Sequence, residues 1–181
     1  MLLLKNIQAA HTRYAPDFEL RGVDNRVHHL TRYLERYRAV GVVLMNNNSG
    51  NVQLYVERLK KIQLDLQPRG FTLIGINANQ DCNESLEEMR KFAVCHQLNF
   101  PYLWDSSQEV TESFGVKTTP MSFLIDRQGA IRYQGAIDDN AQNSNGVKKH
   151  YFKNAALKLL KGQTISTPAT EAITYVLQWG Y

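Results

Sequence analysis

Apolar residues run almost unbroken through two short stretches, 39–45 (Ala-Val-Gly-Val-Val-Leu-Met) and 71–76 (Phe-Thr-Leu-Ile-Gly-Ile), and each ends against polar residues. A strand covered on both faces needs this pattern, because neither side of it meets water. Between the two, Val52, Tyr55, Val56, Leu59, Ile62 and Leu66 recur at helical offsets, which predicts a helix over 50–66 with one apolar face. Gln67-Pro68-Arg69-Gly70 breaks it. Strand, helix and strand in this order make a crossover unit with two parallel strands.

The flanking segments extend the pattern. Phe18 and Leu20 alternate inward after Pro16, Gly22-Val23-Asp24-Asn25 has turn chemistry, and Val27-His28-His29-Leu30 reads as the return strand of an N-terminal β-hairpin. A helical turn over 31–37 follows, with Thr31 as its cap. After the second buried strand, Asp81 or Asn83 caps a helix whose inward stripe is Leu86, Met89, Phe92 or Ala93, and His96. After the Phe100–Asp105 segment, a short helix over 108–114 and a hairpin turning at Arg127-Gln128-Gly129 come next. The final helix is expected over 147–160, with Phe152, Ala155, Ala156, Leu159 and Leu160 inward and Gly162 as its stop. At 181 residues and 43% apolar content, the chain suits one well-buried core. The expected organisation is a leading segment 1–14, a domain 15–162, and an extension 163–181 packed on that domain.

The first buried strand empties into Asn46-Asn47-Asn48-Ser49 at the head of the helix. Such a turn presents backbone N–H groups and a positive dipole end, so α/β proteins often place a reactive group there. This one holds amides and one hydroxyl. The element resembles the active-site turn of the redoxin branch of the thioredoxin superfamily, which includes the alkyl hydroperoxide reductase and thiol-specific antioxidant proteins. Ala15-Pro16-Asp17-Phe18-Glu19-Leu20, Phe100-Pro101-Tyr102-Leu103, Thr119-Pro120 and Gly135-Ala136-Ile137-Asp138-Asp139-Asn140 resemble further segments of that branch. The resemblance implies a thioredoxin-like α/β fold with a central mixed sheet flanked by helices. It also implies a cis Pro120 facing the turn. Many relatives carry Cys-x-x-Cys where this chain has Asn46 and Ser49. Other family cysteines correspond to Thr118 and to the Thr174-Tyr175 pair.

Thiol-disulfide exchange and peroxide reduction need a thiolate, and a serine hydroxyl in its place stays protonated. Ser49 has no His or Asp beside it in sequence to act as a base. The asparagines either satisfy their own turn or, together with Thr119 and Pro120, pair with an extended peptide; both readings stand. Cys82 and Cys95 remain. Roughly 13 helical residues between them would span about 18–20 Å, too far for a disulfide, and two unpaired cysteines suit a reducing compartment. The leading expectation is a non-catalytic module that binds a protein or peptide. The alternatives are a thiol-dependent peroxidase or thiol-disulfide oxidoreductase using Cys82 or Cys95, and a structural subunit of a larger assembly. Asp138 and Asp139, being adjacent, are read as turn and cap residues.

Charge adds one further partner class. The net charge is +4, and Arg13, Arg21, Arg26, Arg32, Arg36 and Arg38 crowd the early chain around His28 and His29. An anionic partner could use that face, although Asp17, Glu19, Asp24 and Glu35 interleave with the arginines as on a solvated surface. No aromatic-and-basic ladder suggests nucleic acid. The paired histidines lack further ligands at metal spacing, so neither metal nor cofactor is expected. Lys5 and Asn6 interrupt the apolar start, no run is long enough to span a bilayer, and a cytoplasmic protein is the simplest expectation.

Overall fold

The computed structural model describes residues 12–48, 50–81, 84–171 and 175–176. The chain enters through the hairpin β1 (Glu19–Gly22) and β2 (Val27–His29) and passes through α1 (Leu30–Arg36) to β3 (Ala39–Leu44). Next come α2 (Gly50–Leu66), β4 (Phe71–Asn77), α3 (Leu86–Cys95), β5 (Tyr102–Trp104) and α4 (Glu109–Ser113). The short β6 (Thr118–Thr119) precedes the hairpin β7 (Met121–Asp126) and β8 (Ile131–Gly135); α5 (Tyr151–Leu160) and β9 (Tyr175–Val176) complete the elements. Seven strands form one mixed sheet in the order β2-β1-β5-β4-β3-β7-β8, and β6 pairs with β9 in a second, two-stranded sheet. β3 is parallel to β4 and antiparallel to β7.

Period-two alternation along β3 divides the core. Ala39, Val43 and the following Met45 join α2, α3 and α5 on one face of the sheet, while Val40, Val42 and Leu44 join Leu30 of α1, Phe114 and the hairpin residues Phe18 and Leu20 on the other. The amphipathic faces read from the sequence face the core: Val52, Tyr55, Val56, Leu59, Ile62 and Leu66 on α2 and Phe152, Ala155, Ala156 and Leu160 on α5 are buried, while Leu159, also expected inward, is half-buried.

Three helix starts differ from the expectation. α1 begins at Leu30 with His29 as its cap, not at Thr31, because Leu30 is buried and its N–H donates to Phe18 O (3.2 Å), which carries β2 directly into the helix. α3 begins at Leu86 and is capped by Ser85, whose Oγ accepts from Glu88 N (3.3 Å). Asp81 O accepts from Glu84 N (2.9 Å), and Asn83 lies outside the described residues. The helix expected between Cys82 and Cys95 is described only over Leu86–Cys95, and Cys82 lies outside the described residues. α5 begins at Tyr151 and not at 147. Lys148 N donates to Asp139 Oδ1 (2.9 Å) and Asp139 N to Lys149 O (3.1 Å), which ties 148–149 to the preceding turn and withholds them from the helix.

The same turn carries a buried ion pair. Arg58 on α2 donates through Nη1 to Asp138 Oδ2 (2.8 Å) and Asn140 O (2.7 Å) and through Nη2 to Ala141 O (2.9 Å), with its guanidinium 4.7 Å from the Tyr55 ring centroid. Asp138 also accepts from Tyr55 Oη (3.3 Å), whereas Asp139 is exposed and holds the 148–149 segment. The two carboxylates thus serve different partners. Arg58→Ala leaves Asp138 buried without its cation, which is expected to cost about 3–5 kcal/mol in denaturant unfolding. The double variant Arg58→Met, Asp138→Leu is expected to cost less than Arg58→Ala.

Candidate functional site

The polar turn after β3 is held from inside the protein. Met45 N still reaches Ile76 O (2.9 Å), after which the backbone leaves the sheet while Asn46 and Asn47 are buried. Their surroundings cannot supply bulk water, so the turn's amides need internal acceptors. Glu84, only 1% exposed, supplies them: its Oε2 accepts from Asn47 N (2.8 Å) and its Oε1 from Asn48 N (2.9 Å). Asn77, the last residue of β4, donates through Nδ2 to the same Oε2 (2.6 Å) and to Tyr102 Oη (3.0 Å). Tyr102 in turn donates to Asn47 Oδ1 (3.0 Å). Complete burial, reinforced by the Glu84 charge and only partly offset by the Asn77 contact, holds the Tyr102 phenol well above its ordinary pKa; it stays neutral and keeps that proton to donate.

Register brings the second predicted segment to this turn. Leu44 pairs with Met121 across β3 and β7, so Pro120, one residue earlier, sits beside the point where β3 opens into Asn46 and Asn47. Thr119-Pro120 is a cis peptide bond, as the resemblance implied. Thr119 is buried, and its Oγ1 has no hydrogen-bond partner among the described residues. Its strand is already paired: Thr118 faces Val176 and Thr119 faces Tyr175 in antiparallel register. The segment leading there is anchored along β8, where Gln134 N donates to Pro168 O (3.0 Å), Thr170 N to Gln134 O (3.1 Å), and Ala136 N to Thr170 Oγ1 (2.9 Å). Gly135, at φ +140°, lets the Thr170 backbone lie against it where a Cβ would collide.

Among the predicted site residues, Asn46, Asn47, Thr119 and Pro120 are buried together at the end of β3, and Asn48 is exposed at the turn. Ser49 and Cys82 lie outside the described residues, as do residues 1–11 of the leading segment and much of the C-terminal extension. Cys95, exposed, is the last residue of α3, at the opposite pole from the helix N-terminus where reactive thiolates are favoured. Glu84, Asn77, Tyr102 and Thr170 belong to the site and were not picked out by sequence reasoning. Asn77 had a signal, since it ends an otherwise apolar strand. Among the described residues no group of three or more His, Cys, Asp or Glu is arranged to hold a metal ion, and no helix is long and apolar enough to cross a membrane.

Strand, turn, cis proline and mixed sheet together define a thioredoxin-like redoxin. The family model described as AhpC/TSA matches residues 12–134, and the chain belongs to that family. It is 30% identical over 140 residues to the thiol-disulfide oxidoreductase ResA of Geobacillus thermodenitrificans, covering 75% of this chain and 73% of that one. A crystal structure of a hypothetical protein from Sinorhizobium meliloti 1021 superposes with a TM-score of 0.86 at 28% identity, covering 93% of this chain and 94% of that one. The thioredoxin domain of a thiol-disulfide oxidoreductase from Bacteroides vulgatus shares the fold at a TM-score of 0.58 and 18% identity, covering 67% of this chain and 85% of that one.

The arrangement predicts that Glu84 holds the turn in place. Glu84→Gln puts an amide NH2 where one oxygen now accepts from N–H donors. A loss of about 2–3 kcal/mol is expected, read as a fall in Tm of roughly 4–12 °C by calorimetry. Hydrogen exchange at Asn47 and Asn48 should quicken in the same variant, while exchange in β7 and β8 changes only with global stability.

Proposed function

We propose that this redoxin is a non-catalytic binding protein that takes an extended peptide backbone along Thr118–Thr119, beside the Asn46–Asn48 turn. The observation that carries this reading is the pairing of that edge with an antiparallel strand, supplied by the chain's own Tyr175–Val176. An edge that accepts one backbone in this register offers the same hydrogen bonds to another, with neighbouring side chains setting preference. The chemistry of the turn supports the reading. Positions 46 and 49 hold no sulfur, and two amides that could stabilise an anion at the turn are occupied by Glu84.

A second reading is favoured by the name of the Geobacillus relative, a thiol-disulfide oxidoreductase, together with the exposure of Cys95. On that reading Cys95 or Cys82 carries thiol exchange from a position unlike the Cys-x-x-Cys turn.

One set of measurements separates them. A fluorescent synthetic peptide with the sequence of residues 171–181 is titrated against the native chain, a Thr170→Val variant that loses the hydroxyl contact to Ala136 N, and the Cys82→Ser, Cys95→Ser variant. Peptide binding is expected to tighten about tenfold, or roughly 1.4 kcal/mol, in Thr170→Val as the resident strand loosens, and to be unchanged in the cysteine variant. Insulin-disulfide and peroxide reduction, with thioredoxin or glutathione as donor, are expected from neither native chain nor variant. Turnover by the native chain that disappears in the cysteine variant would establish the thiol reading in its place.

A further inference from the structure

Of the acidic residues that interleave with the arginines in sequence, Asp24 stays close to Arg26, whose backbone N–H donates to its Oδ1 (3.1 Å), yet none forms an ion pair with Arg26, Arg32 or Arg36 among the described residues. Asp17 Oδ1 accepts from Phe18 N (3.0 Å), Asp24 Oδ1 lies 3.0 Å from His28 Nε2, and Glu19 Oε2 lies 3.6 Å from His29 Nδ1. Arg26, Arg32 and Arg36 form no ion pair among the described residues. All three line an open pocket of about 330 Å3 with Tyr33, Tyr37 and His29, and no carboxylate-bearing residue is among those lining it.

Local geometry explains how the cluster forms. The helical period of α1 places Arg32 beside Arg36 and Tyr33 beside Tyr37, one turn apart, while β2 is the edge strand that brings Arg26 and His29 to the same place. Tyr33 is fixed by a 2.5 Å contact to His28 Nδ1, and the planes of His28, Tyr33 and Tyr37 follow one another at 10° and 21°. Burial first, then the neighbouring Asp24 and Tyr37, against the opposing pull of Arg36, push the Tyr33 phenol up to about 12, so Tyr33 stays uncharged at neutral pH. Arg36 lies 5.5 Å from the Tyr37 ring centroid.

We infer that this pocket is a binding site for a small phosphate-bearing anion with a planar ring, the chemistry of a nucleoside diphosphate. Guanidinium groups match phosphate oxygens in two-point contacts, and a ring can extend the tyrosine stack. The volume lies at the small end of the range for ligand sites. The site is separate from the Thr118–Thr119 edge and does not depend on the peptide reading. A competing role for the arginines is to keep the open edge of β2 from pairing with other strands, which would require no ligand.

The test is titration calorimetry on the full chain with ADP, with inorganic pyrophosphate, and with a short polyglutamate of matching charge. ADP is expected to bind more tightly than pyrophosphate, and both more tightly than polyglutamate, with affinity falling as salt is raised. Arg32→Gln with Arg36→Gln should weaken ADP binding at least about tenfold, a change of roughly 1.4 kcal/mol. Tyr37→Leu should weaken ADP but spare pyrophosphate, and Arg69→Gln, an exposed arginine outside the pocket, should change neither. Circular dichroism checks that each variant is folded. Absence of ADP binding to the native chain, or an equal loss in Arg69→Gln, overturns the site. Pyrophosphate or polyglutamate binding as tightly as ADP overturns the ring-and-phosphate assignment.

Discussion

Because every residue of β3 is buried, the chain is still inside the protein when it leaves the sheet at Leu44, and the amides that follow cannot turn to water. The architecture around the site follows from that constraint. Met45 borrows the carbonyl of Ile76 near the end of β4, and Glu84 takes the amides of Asn47 and Asn48. Its carboxylate is itself positioned by Asn77 at the end of β4, and Tyr102 at the start of β5 closes the network on the Asn47 side chain. Three parallel strand ends must therefore be in register for one turn to be satisfied. A slip of one residue in β4 or β5 would reverse the side of the sheet on which Asn77 or Tyr102 lies and leave the Glu84 charge buried with fewer donors.

That network bears on how the missing sulfurs are to be understood. Loss of a reactive side chain without compensation leaves buried donors unpaired or a cavity lined by polar atoms. Here the Asn47 and Asn48 amides, the Asn77 amide and the Tyr102 hydroxyl all have partners at 2.6–3.0 Å. A fully connected polar cluster in a low-dielectric interior is stiff, because each member fixes the orientation of the next. The turn therefore forms a rigid wall beside Thr119 and Pro120.

Sequence made the scaffold legible and the site only in outline. β3, α2 and β4 could be read because their burial is written in neighbouring residues, as runs and as helical offsets. The cis bond at Pro120 and the thioredoxin-like layout came from resemblance in short motifs. What escaped was decided by residues far apart in the chain. Glu84 meets Asn47 across 37 positions, and no local feature of Asp81-Cys82-Asn83-Glu84-Ser85 marks its carboxylate as buried. α5 starts late because Asp139 claims the backbone of 148–149, a bond across 9 positions. Charge interleaving near Arg26, Arg32 and Arg36 read as a solvated surface, and the strand and helix geometry sets two of the acids, Asp24 and Glu19, against His28 and His29.

Occupation of β6 by the chain's own strand sets the terms on which any other strand can enter. A tethered segment competes at an effective concentration of roughly millimolar, so an incoming peptide must outbind β9 and not merely fit beside it. Among the described residues β9 pairs with β6 at two positions in a two-stranded sheet, and such ribbons have little stability of their own. Upstream, the tail is held by the Thr170 contacts to β8 and by the close approach at Gly135. Anchoring and occupation are thus carried by different residues. On the proposed peptide reading, exchange of the strand at Thr118–Thr119 would leave the contacts of residues 168–170 to β8 in place.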